Sequence, residues 1–170
     1  MVGLEYSMVV REILQLGNPQ LYRISEDVTK AELSSVPAII EDLHDSMMDF
    51  RKRYNAGRAI AAPQIGVMKR IIYMHIASPV VFLNPTLKNL SDEMIELWDD
   101  CMCFPNLLVR LRRHKRCTIE YRDLEWNLKA MNLEDDLSEL LQHEYDHLDG
   151  VLAVMRAIDG KSFAYRDQIP

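Results

Sequence analysis

The chain has 170 residues, which suits one packed domain and leaves little room for a second. Its 20 Lys and Arg against 26 Asp and Glu give a formal charge of −6, which argues against a protein devoted to wrapping nucleic acid. With 48% hydrophobic and 27% charged residues, the composition is that of a folded globule, not a disordered or fibrous chain. No apolar run reaches the ~18 residues of a membrane span, and Met1–Met8 shows no basic segment followed by an apolar one. Three cysteines, two of them nearly adjacent at Cys101 and Cys103, favour free thiols in a reducing compartment over a disulfide framework. These bounds predict a cytoplasmic protein without membrane contact, built as a single domain over residues 1–170.

Met1 to Glu12 reads as a tail or an edge strand, followed by Ile13–Leu16 and the turn signal Gly17-Asn18-Pro19. A helix is expected over Val36–Arg53. Ser35 is placed to cap it, Pro37 sits in its first turn, and Val36, Ile39, Ile40, Leu43, Met47 and Phe50 form one apolar stripe. A loop then leads into the apolar segment Ala59–Pro63, with Gln64-Ile65-Gly66 behind it. Arg70–Ile76, Val80–Asn84, Met94–Trp98, Leu107–Arg113 and Arg116–Arg122 have the β-branched, aromatic or alternating character of strands. The last large element is a helix over Leu133–Leu148, closed by Asp149-Gly150. Helix, strands, then helix predicts an α+β fold with mostly antiparallel pairing.

His143-Glu144-Tyr145-Asp146-His147 spells H-E-x-x-H inside that last helix. Histidines four residues apart lie one turn apart on one face, so both imidazoles reach a single metal ion, and the glutamate beside the first is placed to take a proton from water. At about 100° per residue, Glu144 falls among Leu137, Leu141 and Leu148, with His143 and His147 on the edge of that stripe. Asp135, Ser138, Glu139, Gln142, Asp146 and Asp149 fall on the opposite, polar side. A carboxylate in the middle of an apolar stripe needs a partner or a raised pKa. A third ligand is required. No Glu follows Glu144, Ala153 stands where a third histidine of an extended motif would fall, and the tail to Pro170 holds no Cys or His. The ligand therefore comes from upstream, where His75, Cys101, Cys103, His114 and Cys117 are available and Cys101 or Cys103 is favoured.

The chain resembles the peptide deformylases, whose motifs run G-ϕ-G-ϕ-A-A-x-Q, E-G-C-ϕ-S and Q-H-E-ϕ-D-H, with ϕ apolar. Against these stand Gly57-Arg58-Ala59-Ile60-Ala61-Ala62-Pro63-Gln64, Asp99-Asp100-Cys101-Met102-Cys103 and Gln142-His143-Glu144-Tyr145-Asp146-His147. Ile13-Leu14-Gln15, Phe82-Leu83-Asn84-Pro85 and Leu148-Asp149-Gly150 fit as flanking pieces, so the likeness runs from about Ile13 to Met155. It implies a fold in which antiparallel strands surround the helix bearing H-E-x-x-H. It implies hydrolysis of the N-formyl group from the formyl-methionine of new polypeptides. Cys101, His143 and His147 would hold one divalent ion, Fe(II) with Zn(II) or Ni(II) as substitutes. Glu144 would act as general base and then acid. Gln64 and the backbone N–H of Met102 would stabilise the oxyanion. Gly57, Arg58, Ala59, Ile60 and Asp100 would line the substrate groove, where an extended peptide pairs as an added strand.

The departures from the family pattern lie in that groove. Arg58 replaces an aliphatic residue, Ala59 and Asp100 replace glycines, and Cys103 replaces a serine. They motivate two competing readings, a non-catalytic metal- or peptide-binding module and a hydrolase of another short N-acyl amide; a metalloendoprotease is disfavoured for want of a downstream ligand. Other residues carry plainer expectations. Cys103 fills a serine-sized gap, Cys117, Met47, Met48 and Met74 belong to the core, and His75 and His114 are surface or edge histidines. The basic run Arg110–Arg116 reads as a solvated strand face with one arginine pairing Asp99; its alternative is a docking patch for an anionic partner such as ribosomal RNA. Asp99-Asp100 is also placed to attract a cationic substrate residue.

Overall fold

The structure, a computed structural model, describes residues 9–169. The tail or edge strand expected over Met1–Glu12 lies outside the described residues as far as Met8, and residues 9–12 join no strand. Helix α1 spans Val36–Tyr54 and ends at Asn55, whose φ of 52° is the left-handed stop that asparagine tolerates. Ser35 does not cap it as expected: its hydroxyl donates instead to the Glu32 carbonyl at 2.8 Å. Strands β1 (Ala59–Ala61), β2 (Ile71–His75) and β3 (Pro79–Lys88) follow, then β4 (Met94–Asp99), β5 (Leu107–His114), β6 (Arg116–Arg122) and β7 (Leu128–Glu134). Helix α2 is Asp135–Leu148, and a short β8 covers Phe163–Tyr165.

Two antiparallel sheets result, ordered β1-β2-β3-β6-β7 and β4-β5-β8. Helix α2 touches strands of both, so the expected arrangement of strands around one helix is what the chain builds. One apolar cluster joins α1 to β1, β2 and the Cys101–Phe104 loop through Leu43, Met47, Phe50, Ile60 and Ile71. A second lies between the five-stranded sheet and α2, where Phe82, Ile72, Cys117 and Ile119 meet Leu141 and Leu148. Cys117, Met47 and Met74 are buried, and Met48 packs partly buried on the first cluster.

The start of α2 and the burial of its faces differ from expectation. Leu133 and Glu134 belong to β7, pairing with Cys117 and Arg116, so α2 begins two residues later than its apolar pattern suggests. The pattern alone missed β7 because only one of its seven side chains is buried. The supposed polar side of α2 is also largely buried: Ser138, Gln142 and Asp146 are covered by the end of β5. Gln142 accepts from the His114 N–H at 3.0 Å and donates to the His114 carbonyl at 2.8 Å, and Asp146 meets Arg113. Polar residues there are satisfied by strand backbone and arginine rather than by water.

Candidate metal centre

Cys101 follows directly on β4, in a loop running to Asn106, and its sulfur lies 3.3 Å from His147 Nε2. One ligand atom each from Cys101, His143 and His147 lie within 4.8 Å of one another, all on buried residues. Of the upstream candidates, Cys101 is the one grouped with both histidines. Cys103 is buried beside it, with Sγ 3.7 Å from Gln64 Nε2. His75, half-buried at the end of β2, and His114, whose Nδ1 meets the Ser91 carbonyl at 2.7 Å, both lie away from the group.

Asp99 fixes the orientation of His143 by meeting its Nδ1 at 2.9 Å, which leaves Nε2 for a ligand. Arg113 donates to the same Asp99 oxygen at 3.0 Å and also pairs with Asp146, which Arg156 clamps through two bonds of 2.6 Å. The arginine expected to steady the cysteine loop is therefore Arg113, buried at 3% exposure. Asp99, 3% exposed, is held in this network at the back of the cleft, and of the acidic pair only Asp100 reaches the surface. The rest of the basic run is matched as well, Arg110 and Arg112 by Glu96, Lys115 by Glu93, and Arg116 by Glu93 and Glu134.

Burial opposes protonation of His143, but the Asp99 carboxylate more than compensates and raises its pKa to about 10. Burial and the neighbouring positive His143 hold His147 well below the usual imidazole value. Burial also lifts the Cys101 thiol, helped by Cys103, and raises Glu144 to about 7. Glu144 Oε2 and His147 Nδ1 are buried without a hydrogen-bond partner among the described residues. One cysteine sulfur and two imidazoles make a donor set that fits one divalent transition ion, with the orphaned Glu144 oxygen buried near them.

Gln64 sits in the short 3-10 turn after β1, where Pro63 presets the backbone. Its Oε1 accepts from the Ala61 N–H at 2.7 Å, and Nε2 faces the sulfurs of Cys101 and Cys103 at 3.8 and 3.7 Å. The segment after residue 12 ties the pieces together: Leu14 N–H donates to the Gln64 carbonyl at 2.8 Å and Leu16 N–H to the Cys103 carbonyl at 2.9 Å. Gly57 has φ +112°, and a Cβ there would lie 2.9 Å from the Met102 methyl, so the entry to β1 needs glycine.

A cleft of about 250 Å³ opens onto this group, and Gly57, Arg58, Ala59, Gln64, Asp100, Met102 and Glu144 all line it. Ile60 does not; its side chain is fully buried in the core. β1 is an edge strand, and His75 N–H donating to the Arg58 carbonyl sets the alternation. Ala59 and Ala61 therefore turn their N–H and C=O groups away from β2, towards the open edge. Two cleft residues carried no signal that sequence reasoning used. Arg166 follows β8 and pairs with Asp100 at 2.5 Å; nothing marks a lone arginine near the C-terminus. Glu139 was assigned to the polar side, yet its side chain is only 13% exposed and faces the cleft one turn before His143. Its i−4 spacing from His143 was the available clue.

An H-E-x-x-H helix enclosed by antiparallel strands, with a thiol beside both imidazoles, defines a metal-dependent hydrolase. The polypeptide deformylase family model matches residues 10–162, and the chain belongs to that family. Peptide deformylase 1 of Prochlorococcus marinus is 32% identical over 178 residues, covering 95% of this chain and 88% of that protein. The peptide deformylase of Leptospira biflexa is 32% identical over 176 residues, covering 95% and 96%. The crystal structure of the Thermotoga maritima peptide deformylase superposes with a TM-score of 0.80 at 28% identity, covering 88% of this chain and 99% of that one. The Met-Ala-Ser-bound class I type b peptide deformylase of Acinetobacter baumannii gives 0.81 at 25% identity, with the same coverage.

Proposed function

We infer that this chain hydrolyses the N-formyl group from the N-terminal formyl-methionine of peptides, and that Cys101, His143 and His147 hold the metal it requires. The observation that carries this is the clustering of those three donors beside Glu144, whose buried Oε2 has no partner. A divalent ion held there supplies Lewis acidity and brings the pKa of water towards neutrality. Glu144 takes the proton from the attacking water and passes it to the leaving amine. The Gln64 amide, anchored through Oε1 on Ala61, offers Nε2 to the oxyanion, joined by the Met102 N–H. The outward groups of Ala59 hold the peptide backbone as an added strand, so substrate docking there uses main chain rather than the core-bound Ile60 side chain. Gly57, Arg58 and Asp100 form the walls of that groove.

We propose Fe(II) as the native ion, with Zn(II) and Ni(II) as substitutes the same donors accept, in one cytoplasmic domain spanning the chain. Among the described residues no helix is long and apolar enough to cross a membrane. Docking of Arg110–Arg116 on ribosomal RNA is the weaker part of the reading, because Arg113 is buried and its exposed neighbours already have acidic partners. Glu144→Ala is expected to keep stoichiometric metal by elemental analysis while formate release from formyl-Met-Ala-Ser falls about 10²–10⁴-fold. Cys101→Ala is expected to lose the metal. Near-normal turnover by Glu144→Ala would remove the base from the scheme.

A further inference from the structure

Cys103 takes no part in the hydrolysis, yet it places a second thiol beside a metal donor, where the family pattern has a serine. The local contacts bring the two sulfurs together. The Cys103 N–H donates to Cys101 Sγ at 3.4 Å, and the two thiols are hydrogen-bond partners. Gln64 Nε2 touches both sulfurs, at 3.8 and 3.7 Å. The Phe104 N–H donates to the Cys101 carbonyl at 3.0 Å, which folds Cys101–Phe104 into a turn. Residues two apart span at most about 7 Å when extended. A turn shortens that into the roughly 4.4–6.8 Å between Cα atoms that a disulfide bridges. The two thiols differ in access: Cys101 lines the cleft, whereas Cys103, 1% exposed, lies behind it. Cys117 is elsewhere, its sulfur 3.4 Å from Ser138 Oγ in the second core cluster.

We propose that Cys101 and Cys103 form a reversible oxidation site for hydroperoxides, in which Cys103 closes a disulfide onto Cys101 and the metal is released. The proposal goes beyond the deformylase reading and rests only on its assignment of Cys101 as a metal ligand. A metal-bound thiol is held as thiolate, the form that attacks peroxide. Its electron pair takes the near oxygen, the O–O bond breaks, and hydrogen peroxide leaves Cys101 sulfenic acid and hydroxide. The Cys103 sulfur then attacks the sulfenic sulfur. The S–S bond forms, the S–O bond breaks, and the hydroxyl departs as water with the Cys103 proton. Counted from two thiols, one peroxide gives one disulfide and two waters. A disulfide offers no anionic sulfur, so the ion is left with two imidazoles and dissociates. Without Cys103 the sulfenic acid goes on to sulfinic acid, which thiol reductants do not reverse.

The test loads the full chain with Zn(II), which has no redox chemistry of its own, and adds hydrogen peroxide in small excess. Zinc release is read with a chromogenic chelator, and the cysteines by intact mass and peptide mapping after alkylation. Wild type is expected to release zinc as two of its three thiols disappear. It should lose about 2 Da in a 101–103 crosslink and rebind zinc after dithiothreitol. Cys103→Ser is expected to bind zinc before oxidation, then to gain about 32 Da on Cys101 and recover less than about a tenth of its zinc after dithiothreitol. Cys103→Ala should match it, and Cys117→Ser should behave as wild type. Three intact thiols in peroxide-treated wild type, a crosslink between chains or through Cys117, or full zinc recovery by Cys103→Ser overturns the proposal and leaves deformylation standing. Protein that binds no zinc before peroxide overturns the ligand assignment and the release step with it.

Discussion

The two sides of the catalytic cleft are built on opposite electrostatic terms. Behind the metal donors, Asp99, Arg113, Asp146 and His143 form a chain of charges in which every side chain is less than a tenth exposed. At the mouth, Asp100 with Arg166 and Arg58 with Asp136 are ion pairs whose members are 40–70% exposed. Removing one partner from a buried pair leaves a charge with neither water nor counter-ion, whereas an exposed pair is already half-paired with solvent. The inner network therefore sets geometry, and the outer pairs shape the entrance at little cost to stability.

That contrast can be broken in order of effect. Arg113→Ala removes the buried cation shared by two carboxylates, leaving Asp99 to His143 and Asp146 to Arg156, and is expected to cost about 3 kcal/mol, read from urea unfolding; a loss below about 1 kcal/mol would mean that water reaches the network. Asp99→Asn keeps the shape but removes the charge that holds His143, so metal affinity should drop about 10–100-fold in a chelator competition. Gly150→Ala is expected to cost about 1–3 kcal/mol, since φ is +70° and its Cβ would lie 2.5 Å from the Tyr22 carbonyl oxygen. Asp100→Asn should change stability by less than about 1 kcal/mol and show its effect in KM instead. If Asp100→Asn destabilised as much as Arg113→Ala, the distinction between inner and outer pairs would fail.

What was legible in the sequence divides along similar lines. Helix α1 was readable almost to its last residue because it is covered on one side, which prints a 3.6-residue apolar period. The H-E-x-x-H pair was readable because ligand spacing on a helix is a local property. The burial of Ser138, Gln142 and Asp146 was not, because the cover comes from the end of β5, some 30 residues away, and consists of backbone and arginine. The choice of Cys101 over Cys103 from residue types alone stayed open for the same reason: which sulfur turns towards His147 is decided by how the loop after β4 packs. The Arg113 partnership with Asp99 was anticipated only as one of several arginines, since strand register selects which one faces inward.

An open strand edge beside a cleft is an invitation to any unfolded segment that meets it. Here the hazard is limited by length. β1 is three residues long and ends at once in a 3-10 turn, and Gln64 already occupies the Ala61 amide. Among its outward groups the Ala61 amide is thus closed to strangers, so a visiting chain finds a foothold too short to seed aggregation. The glutamine that turns one end towards the Cys101 and Cys103 sulfurs therefore also guards this edge with the other.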